Sequence, residues 1–469
     1  MSVASMNESA YIDFLKSKHV RHSKTGFDVP FEALNPKAFD WQKMVVRWAL
    51  RTGRALLSED CGLGKSLQSL MWAEAVVNKT GGKVLLLCPL AVQRQFAREA
   101  EKFGISVRVN VCETQDDVRG GITVTNYEKL HHFKPKEFIG VVLDEAQILR
   151  AYTGKTKQML CKQFKDHPYK LTCSATPAPN DRMEIGNQSE FLSVLPSSEM
   201  LQRWFINSGD EVGKYRLRKH GEADFWKWMS SWAVCLSSPA DLGFDASNYK
   251  LPPLVLKEHV VGTKPDAGFL FNVGKKISAT KVHKEKRESL NERADLVAGL
   301  VNPDSERWVI WCSTDYEADA LKKRIPDAIE VRGSMPAKKK EELLDAFTVG
   351  KERAIITKAG IGGLGLNWQN AHKTTWFANY SFADFYQAIR RLYRFGQEYS
   401  VEVHVVRTEN EGSIVDVVNE KESSHVQLQC EVARLMSANM REELGIAPLT
   451  LRSSAGTTRI NLPNWLQSK

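Results

Sequence analysis

The sequence predicts an α/β protein built from two doubly wound parallel-sheet domains in tandem, with a helical, aromatic-rich insertion between them. Three observations carry this reading. Short apolar runs alternate with amphipathic stretches in two separate blocks. The runs are continuously apolar, as in strands covered on both faces. Residues 183–250, between the blocks, carry few strand signals and many aromatics.

In the first block, 54–59 (RALLSE), 83–89 (KVLLLCP), 121–126 (GITVTN), 140–145 (GVVLDE) and 170–175 (KLTCSA) are read as strands, with helices over 67–78 and 91–103. In the insertion, Phe225, Trp228 and Trp232 fall at i, i+3 and i+7, one stripe of a helix. That stripe is read as core packing in preference to a platform for stacking bases. The stretch 249–256 (YKLPPLVL) reads as an extended crossover. The second block repeats the pattern at 307–313, 328–333, 353–358, 374–379 and 401–406, with helices near 315–325, 337–348 and 383–394. The expected organisation is an N-terminal segment 1–35, a first domain 36–182, the insertion 183–250, a crossover linker 251–285, a second domain 286–425, and a C-terminal helix and tail 426–469.

Composition narrows the class. With 469 residues, 42% hydrophobic and 26% charged, the chain suits a soluble globular protein rather than a disordered one. No run approaches the roughly 18 apolar residues that cross a bilayer. The N-terminus lacks the pattern of a secretory signal, so a cytoplasmic protein without a membrane partner is expected. The eight cysteines form no CxxC pair and are expected to be free thiols rather than zinc ligands. A net charge of +9 favours an anionic partner, although simple solubility is an alternative reading.

Five segments carry candidate chemistry. EDCGLGKS (59–66) lies between an expected strand and an expected helix, the setting a phosphate loop requires. Gly62 and Gly64 allow backbone N–H groups to close around phosphate, Lys65 would neutralise it, and Ser66 would coordinate Mg²⁺. VVLDEAQ (141–147) ends an apolar strand in paired carboxylates: Asp144 for the metal and Glu145 to orient or deprotonate water. In LTCSATPAPND (171–181), the hydroxyls of Ser174 and Thr176 sit at the end of an expected strand and could relay phosphate state, with an ordinary strand-to-turn transition broken by Pro177 and Pro179 as the alternative. TKAGIGGLGLNWQ (357–369) is a glycine-rich loop that permits close backbone approach to a ligand or nucleic acid, with a flexible turn as the alternative. QAIRRLYRFGQ (387–397) places Arg391 and Arg394 three apart, on one helical face, as guanidinium forks suited to phosphate. A phosphate loop in one block and paired arginines in the other suggest ATP held between two domains.

In their order these motifs resemble the superfamily 2 helicase-type ATPases, specifically the Swi/Snf-like branch. EDCGLGKS stands where that family carries DEMGLGKT, and CPLAVQRQFAREAEKF (88–103) is similar to P-x-x-x-x-x-Q-W-x-x-E, with Phe96 in place of Trp. VTNYEKL (124–130) is similar to the next strand motif, and DEAQ replaces DEAH, with Gln147 keeping a donor and an acceptor. QAIRRLYRFGQ matches Q-A-x-x-R-x-x-R-x-G-Q and differs from the ending of DEAD-box RNA helicases. The resemblance covers about 35 to 425 and is greatest to compact bacterial, phage and prophage members.

The resemblance implies two RecA-like domains and a requirement for ATP and Mg²⁺. It implies that Gln42 in FDWQ (39–42) reads adenine, with Gly363 and Gln387 counted among the nucleotide-binding residues. Arg391 and Arg394 would reach across the cleft, and Gln147, Ser174 and Thr176 would couple hydrolysis to motion. The implied activity is an ATP-dependent translocase or helicase on duplex or branched DNA, acting as a monomer, with replication or recombination proteins as partners. An RNA-dependent ATPase and a nucleotide-gated scaffold with little turnover are the alternatives.

Overall fold

The structure is a computed structural model, and it describes residues 24–150, 154–175, 182–207, 215–262, 286–362, 365–377, 381–408, 411 and 433. The first lobe opens with α1 (Asp40–Thr52), a helix absent from the expected list, which ends at Gly53 with φ 78°. β1 (Arg54–Glu59), α2 (Lys65–Thr80), β2 (Val84–Cys88), α3 (Gln93–Phe103), β3 (Val109–Val111), β4 (Ile122–Asn126), β5 (Gly140–Asp144), α4 (Lys155–Gln163) and β6 (Tyr169–Ser174) follow. Next come α5 (Ile185–Phe191), α6 (Ser197–Trp204), β7 (Phe205–Asn207), β8 (Tyr215–Leu217), α7 (Glu222–Met229) and β9 (Ala233–Leu236). The first sheet runs β3-β4-β2-β5-β6-β1-β9, every pair parallel. Its central strands are buried along their length because α1, α2 and α3 supply apolar cover.

The second lobe contains β10 (Leu254–Val261), α8 (Leu290–Val301), β11 (Trp308–Cys312), α9 (Asp315–Arg324), β12 (Ile329–Val331), α10 (Ala337–Thr348) and β13 (Ala354–Lys358). It closes with α11 (Ala359–Gly362), β14 (Lys373–Phe377), α12 (Phe382–Ile389) and β15 (Val401–Thr408). Its sheet order is β10-β15-β14-β11-β13-β12, again parallel. Two apolar cores line its opposite faces. The two doubly wound domains expected from the sequence are therefore present. Among the described residues, no helix is long and apolar enough to cross a membrane.

Three local readings change. The segment 183–250 does pack helices, but it also contributes β9, which pairs with β1 from Leu56↔Ala233 to Glu59↔Leu236. A four-residue strand directly after a tryptophan-rich helix has no periodicity of its own, and tertiary pairing recruits it. The stretch read as a crossover is extended as expected, yet from Leu254 it is the edge strand β10, paired with β15. Pro252 and Pro253 precede the ladder, so it loses no donor. Finally, the helix expected over 383–394 stops at Ile389, and the arginine segment continues as tight turns.

The aromatics of the insertion are core. Phe225, Trp226, Trp228 and Trp232 are all buried, and Trp204 stacks on Trp228 with ring centroids 4.7 Å apart. No face of that stripe is left for bases.

Candidate active site

The site lies where the carboxyl ends of the first sheet's strands meet the turns after α12. The turn from β1 to α2 forms one wall. Gly62 and Gly64 have φ of +92° and +86°, conformations that favour glycine. Space demands glycine as well: a Cβ on Gly62 would lie 2.8 Å from the backbone nitrogen of Phe395 in the other lobe, and one on Gly64 would run into the Gln42 amide. The Lys65 ammonium donates to the carbonyls of Glu59 at 2.6 Å and Asp60 at 3.0 Å, so the loop curls around its own lysine. Gln42 Nε2 donates to Leu63 O at 2.8 Å, while its Oε1 accepts from Phe39 N at 3.1 Å. Gln42 thus ties the loop to α1. Glu99 on α3 accepts from Gln95 Nε2 at 2.8 Å, and its carboxyl is pushed up by burial.

Beneath the loop, Glu59 is fully buried and held by Gln68 Nε2 at 2.7 Å. Burial raises its carboxyl to about 7, against the opposing pull of Lys65. The end of β5 forms the second wall. Asp144 is likewise raised to about 7, first by burial and then by the neighbouring Glu145 charge. Glu145 adopts φ +51°, a left-handed conformation that costs a non-glycine residue of order 1 kcal/mol or more. The turn aims its carboxylate into the cleft, and its Oε2 has no hydrogen-bond partner among the described residues. Tyr127 OH donates to the Asp144 carbonyl at 2.6 Å and holds the strand end.

The second lobe supplies the third wall. Arg391 Nη2 reaches Glu145 Oε1 at 3.5 Å across the cleft, with both residues buried. Its Nε donates to Gln387 O at 3.1 Å and its Nη1 to Leu366 O at 3.3 Å. Arg394 Nη1 donates to the same Leu366 carbonyl at 3.3 Å. The end of the glycine-rich loop therefore holds both guanidinium groups, a role its composition did not signal. The Gln387 amide donates to Gln147 Oε1, joining the two lobes beside the carboxylates. Gln397, buried, donates to the carbonyls of Gln369, Ala371 and Leu392 and locks the turn.

Residues far apart in sequence are thus brought together: Gln42, Gly62, Gly64, Lys65 and Ser66 on one wall, Asp144, Glu145 and Gln147 on the second, and Gln387, Arg391 and Arg394 on the third. Ser174 is buried at the end of β6, in register with Ser58 of β1. Thr176 and Gly363 lie outside the described residues. A cavity of about 410 Å³ opens beside Glu145, Gln147 and Gln387 and is walled by Tyr127 of the first lobe and Ile361 of the second. The sequence reading missed Asp60, Tyr386 and Arg390, which meet across the same cleft. Asp60 and Arg390 sit inside the segments already singled out, beside the glycines and Arg391, yet nothing in their spacing pairs them.

Residues 41–219 match the SNF2-related domain family. Over 168 residues the chain is 26% identical to the "SWI/SNF-related matrix-associated actin-dependent regulator of chromatin subfamily A-like protein 1 homolog" of Caenorhabditis elegans, covering 33% of this chain and 24% of that protein. Over 187 residues it is 25% identical to the human "DNA excision repair protein ERCC-6-like", covering 34% of this chain and 15% of that protein. The chain therefore spans a quarter or less of the length of these curated relatives. A solved structure titled "Sulfolobus solfataricus SWI2/SNF2 ATPase core in complex with dsDNA" aligns over 88% of this chain and 97% of that one, at 18% identity and a TM-score of 0.40, too loose a likeness to bear weight.

Proposed function

We propose that this chain, which belongs to the Swi/Snf-like branch of the superfamily 2 ATPases, is an ATP-driven translocase or helicase on duplex or branched DNA. The observation that carries the reading is Arg391 of the second lobe at 3.5 Å from Glu145 of the first, over a phosphate-loop turn. A buried cation reaching across a cleft to a buried carboxylate is an arrangement that a phosphate between them completes.

The chemistry follows from the walls. Gly62, Gly64 and the amino end of α2 offer backbone N–H groups and Lys65 offers a cation to the β- and γ-phosphates. Gln42, beside the loop, is assigned to adenine. Glu145 orients or deprotonates the attacking water, and its left-handed backbone pre-aims the carboxylate. Arg391 and Arg394 stabilise charge on the transferring phosphoryl group, an effect worth on the order of a thousandfold or more in rate. The donor set suits Mg²⁺: the Ser66 hydroxyl and the Asp144 carboxylate are hard oxygen ligands. The raised Asp144 carboxyl and the orphaned Glu145 Oε2 mark a place short of positive charge. Bound there, Mg²⁺ would neutralise charge on the phosphate oxygens. Gln147 and Gln387 join the lobes beside the reacting groups, so lobe closure and phosphate state are coupled there.

DNA as the partner is supported by the family, by the net charge of +9 and by a relative named for DNA excision repair. The test is the steady-state ATPase rate with duplex DNA, forked DNA, single-stranded DNA and RNA. Stimulation by duplex or forked DNA is expected, and it should weaken steeply with salt because the contacts are to backbone phosphates. Stimulation by RNA alone would replace this reading with an RNA-dependent ATPase.

A further inference from the structure

Two residues before the first phosphate-loop glycine, Asp60 makes five contacts, one of them the bond its carbonyl accepts from Lys65. Its backbone N–H donates to Leu236 O of β9 at 2.9 Å. Its Oδ1 accepts from Cys61 N at 2.7 Å and from the hydroxyl of Tyr386, in the other lobe, at 2.6 Å. Its Oδ2 is ion-paired with Arg390 Nη2. The pair is buried, with Asp60 at 7% and Arg390 at 8% exposure. Arg390 is itself held: its guanidinium lies over the rings of Tyr386 at 5.4 Å and Tyr393 at 5.5 Å, and Nη1 donates to Tyr393 O at 3.2 Å.

We infer that Asp60 and Arg390, keyed by Tyr386, form an interlobe clasp that sets the phosphate loop in register with the arginine turn. The inference rests on the ATPase reading above, and both residues are positioning residues for that reaction. Two geometric facts carry it. Arg390 directly precedes Arg391, which reaches Glu145, so a shift of one displaces the other. Asp60 lies two residues before Gly62, whose Cα approaches the turn so closely that a methyl group would meet the Phe395 nitrogen. Loop and turn thus touch at one point through backbone and at another through a buried ion pair. Tyr249 adds an apolar contact beside them, stacked on Phe395 with ring centroids 4.4 Å apart and anchored by Trp41 Nε1 at 3.2 Å.

The clasp also sorts the charges of the turn. Arg390, Arg391 and Arg394 would together present three cations to one phosphate chain. Asp60 pairs with the first, while Arg391, facing Glu145 at 3.5 Å, and Arg394 stay on the side of the reacting groups. A buried pair of this kind is costly to break from one side, because the remaining charge stays buried without its partner. The lobes are therefore drawn together at the phosphate loop before nucleotide adds its own contacts.

The experiment is a double-mutant cycle on the full chain with Asp60→Asn, Arg390→Gln and the double variant. kcat and KM for ATP are measured with duplex DNA, and small-angle scattering is recorded on nucleotide-free protein. Each single variant should lose roughly tenfold in kcat with KM for ATP within about threefold, and the double should be no worse than either single. Arg390→Lys, which keeps a cation for Asp60, should retain at least half the wild-type kcat, and Tyr386→Phe should lose about two- to threefold. Both milder variants carry the test if circular dichroism shows that Asn or Gln disrupts folding. In scattering, the wild type should be compact without nucleotide and the single variants should expand. Losses that multiply in the double variant, unchanged kcat in both singles, or identical scattering profiles would each overturn the clasp. If the wild type hydrolyses no ATP under any condition, the functional reading fails, while the scattering comparison still decides whether Asp60 and Arg390 hold the lobes together.

Discussion

The two lobes meet along two seams of opposite character. At the phosphate loop the ion pairs are buried, Asp60 with Arg390 and Glu145 with Arg391, and the Gln147–Gln387 hydrogen bond beside them is part-buried. Along α3 and α10 they are exposed: Arg94 pairs with Glu341 at 3.1 Å and Arg98 with Asp345 at 2.9 Å, and the two arginines are 59% and 54% exposed. Both seams use ion pairs between the same two bodies, but their physical weight differs. Exposed pairs are solvated, screened and worth about 0–1 kcal/mol, whereas an unpaired charge left in a buried seam costs about 3–5 kcal/mol. The lesson is that distance does not rank these contacts. Desolvation does, and it concentrates the cost of misalignment at the site of chemistry.

The sharpest way to break that contrast is at the first seam. Lys65→Ala and Glu145→Gln should each abolish turnover, by a thousandfold or so, in a steady-state ATPase assay. A variant that kept near-normal biological activity would move the protein toward the scaffold reading. Arg391→Ala should come next, with kcat down by about a thousandfold while nucleotide affinity, read by equilibrium binding, stays within about threefold. Arg394→Ala should follow the same pattern. A matched fall in affinity and turnover would instead assign the arginines to ground-state binding.

A smaller effect should appear in stability. The Glu59 carboxyl is raised from the ordinary carboxylate range to about 7 in the folded chain. A group raised on folding lends stability below its unfolded value, and that stability is lost as pH rises through the folded value. The window for Glu59 is thus about pH 4 to 7, and the loss is on the order of 3 kcal/mol. Glu59→Gln keeps a side chain of the same size against Gln68 and removes the charge. Its Tm should exceed the wild type's at pH 8 and converge with it near pH 5. Equal Tm differences at both values would mean that Glu59 is not the titrating group.

The second seam should show the smallest change. Arg94→Ala with Arg98→Ala should alter stability by less than about 1 kcal/mol in denaturant titrations and ATPase rate by less than about threefold. A tenfold loss of rate would show that α3 and α10 transmit closure as strongly as the phosphate loop does, and the contrast between seams would collapse.

Much of the site could be read along the chain because its parts are local. A phosphate loop needs its glycines, lysine and hydroxyl within one turn, and EDCGLGKS supplies them between a strand and a helix. The same holds for Asp144 and Glu145 at a strand end. The arginine segment was half legible. Arg391 and Arg394 do reach the cleft, but through turns after Ile389 and on the shared Leu366 carbonyl, not from one helical face. The strands β9 and β10 escaped because edge strands are defined by their partners β1 and β15 rather than by their own pattern.

The sequence by itself determined the two parallel-sheet domains, the order of the motifs and the chemical character of each, because backbone conformation and apolar periodicity act over a few residues. The tertiary structure alone decided which charges face one another. Asp60 and Arg390 lie in segments that were each identifiable, yet their pairing depends on how two separately folded sheets meet. So does the choice of Arg390, rather than Arg391 or Arg394, as the partner of Asp60. Electrostatics in a buried cleft follows spatial distance and desolvation, and neither is written in the spacing of residues along a chain.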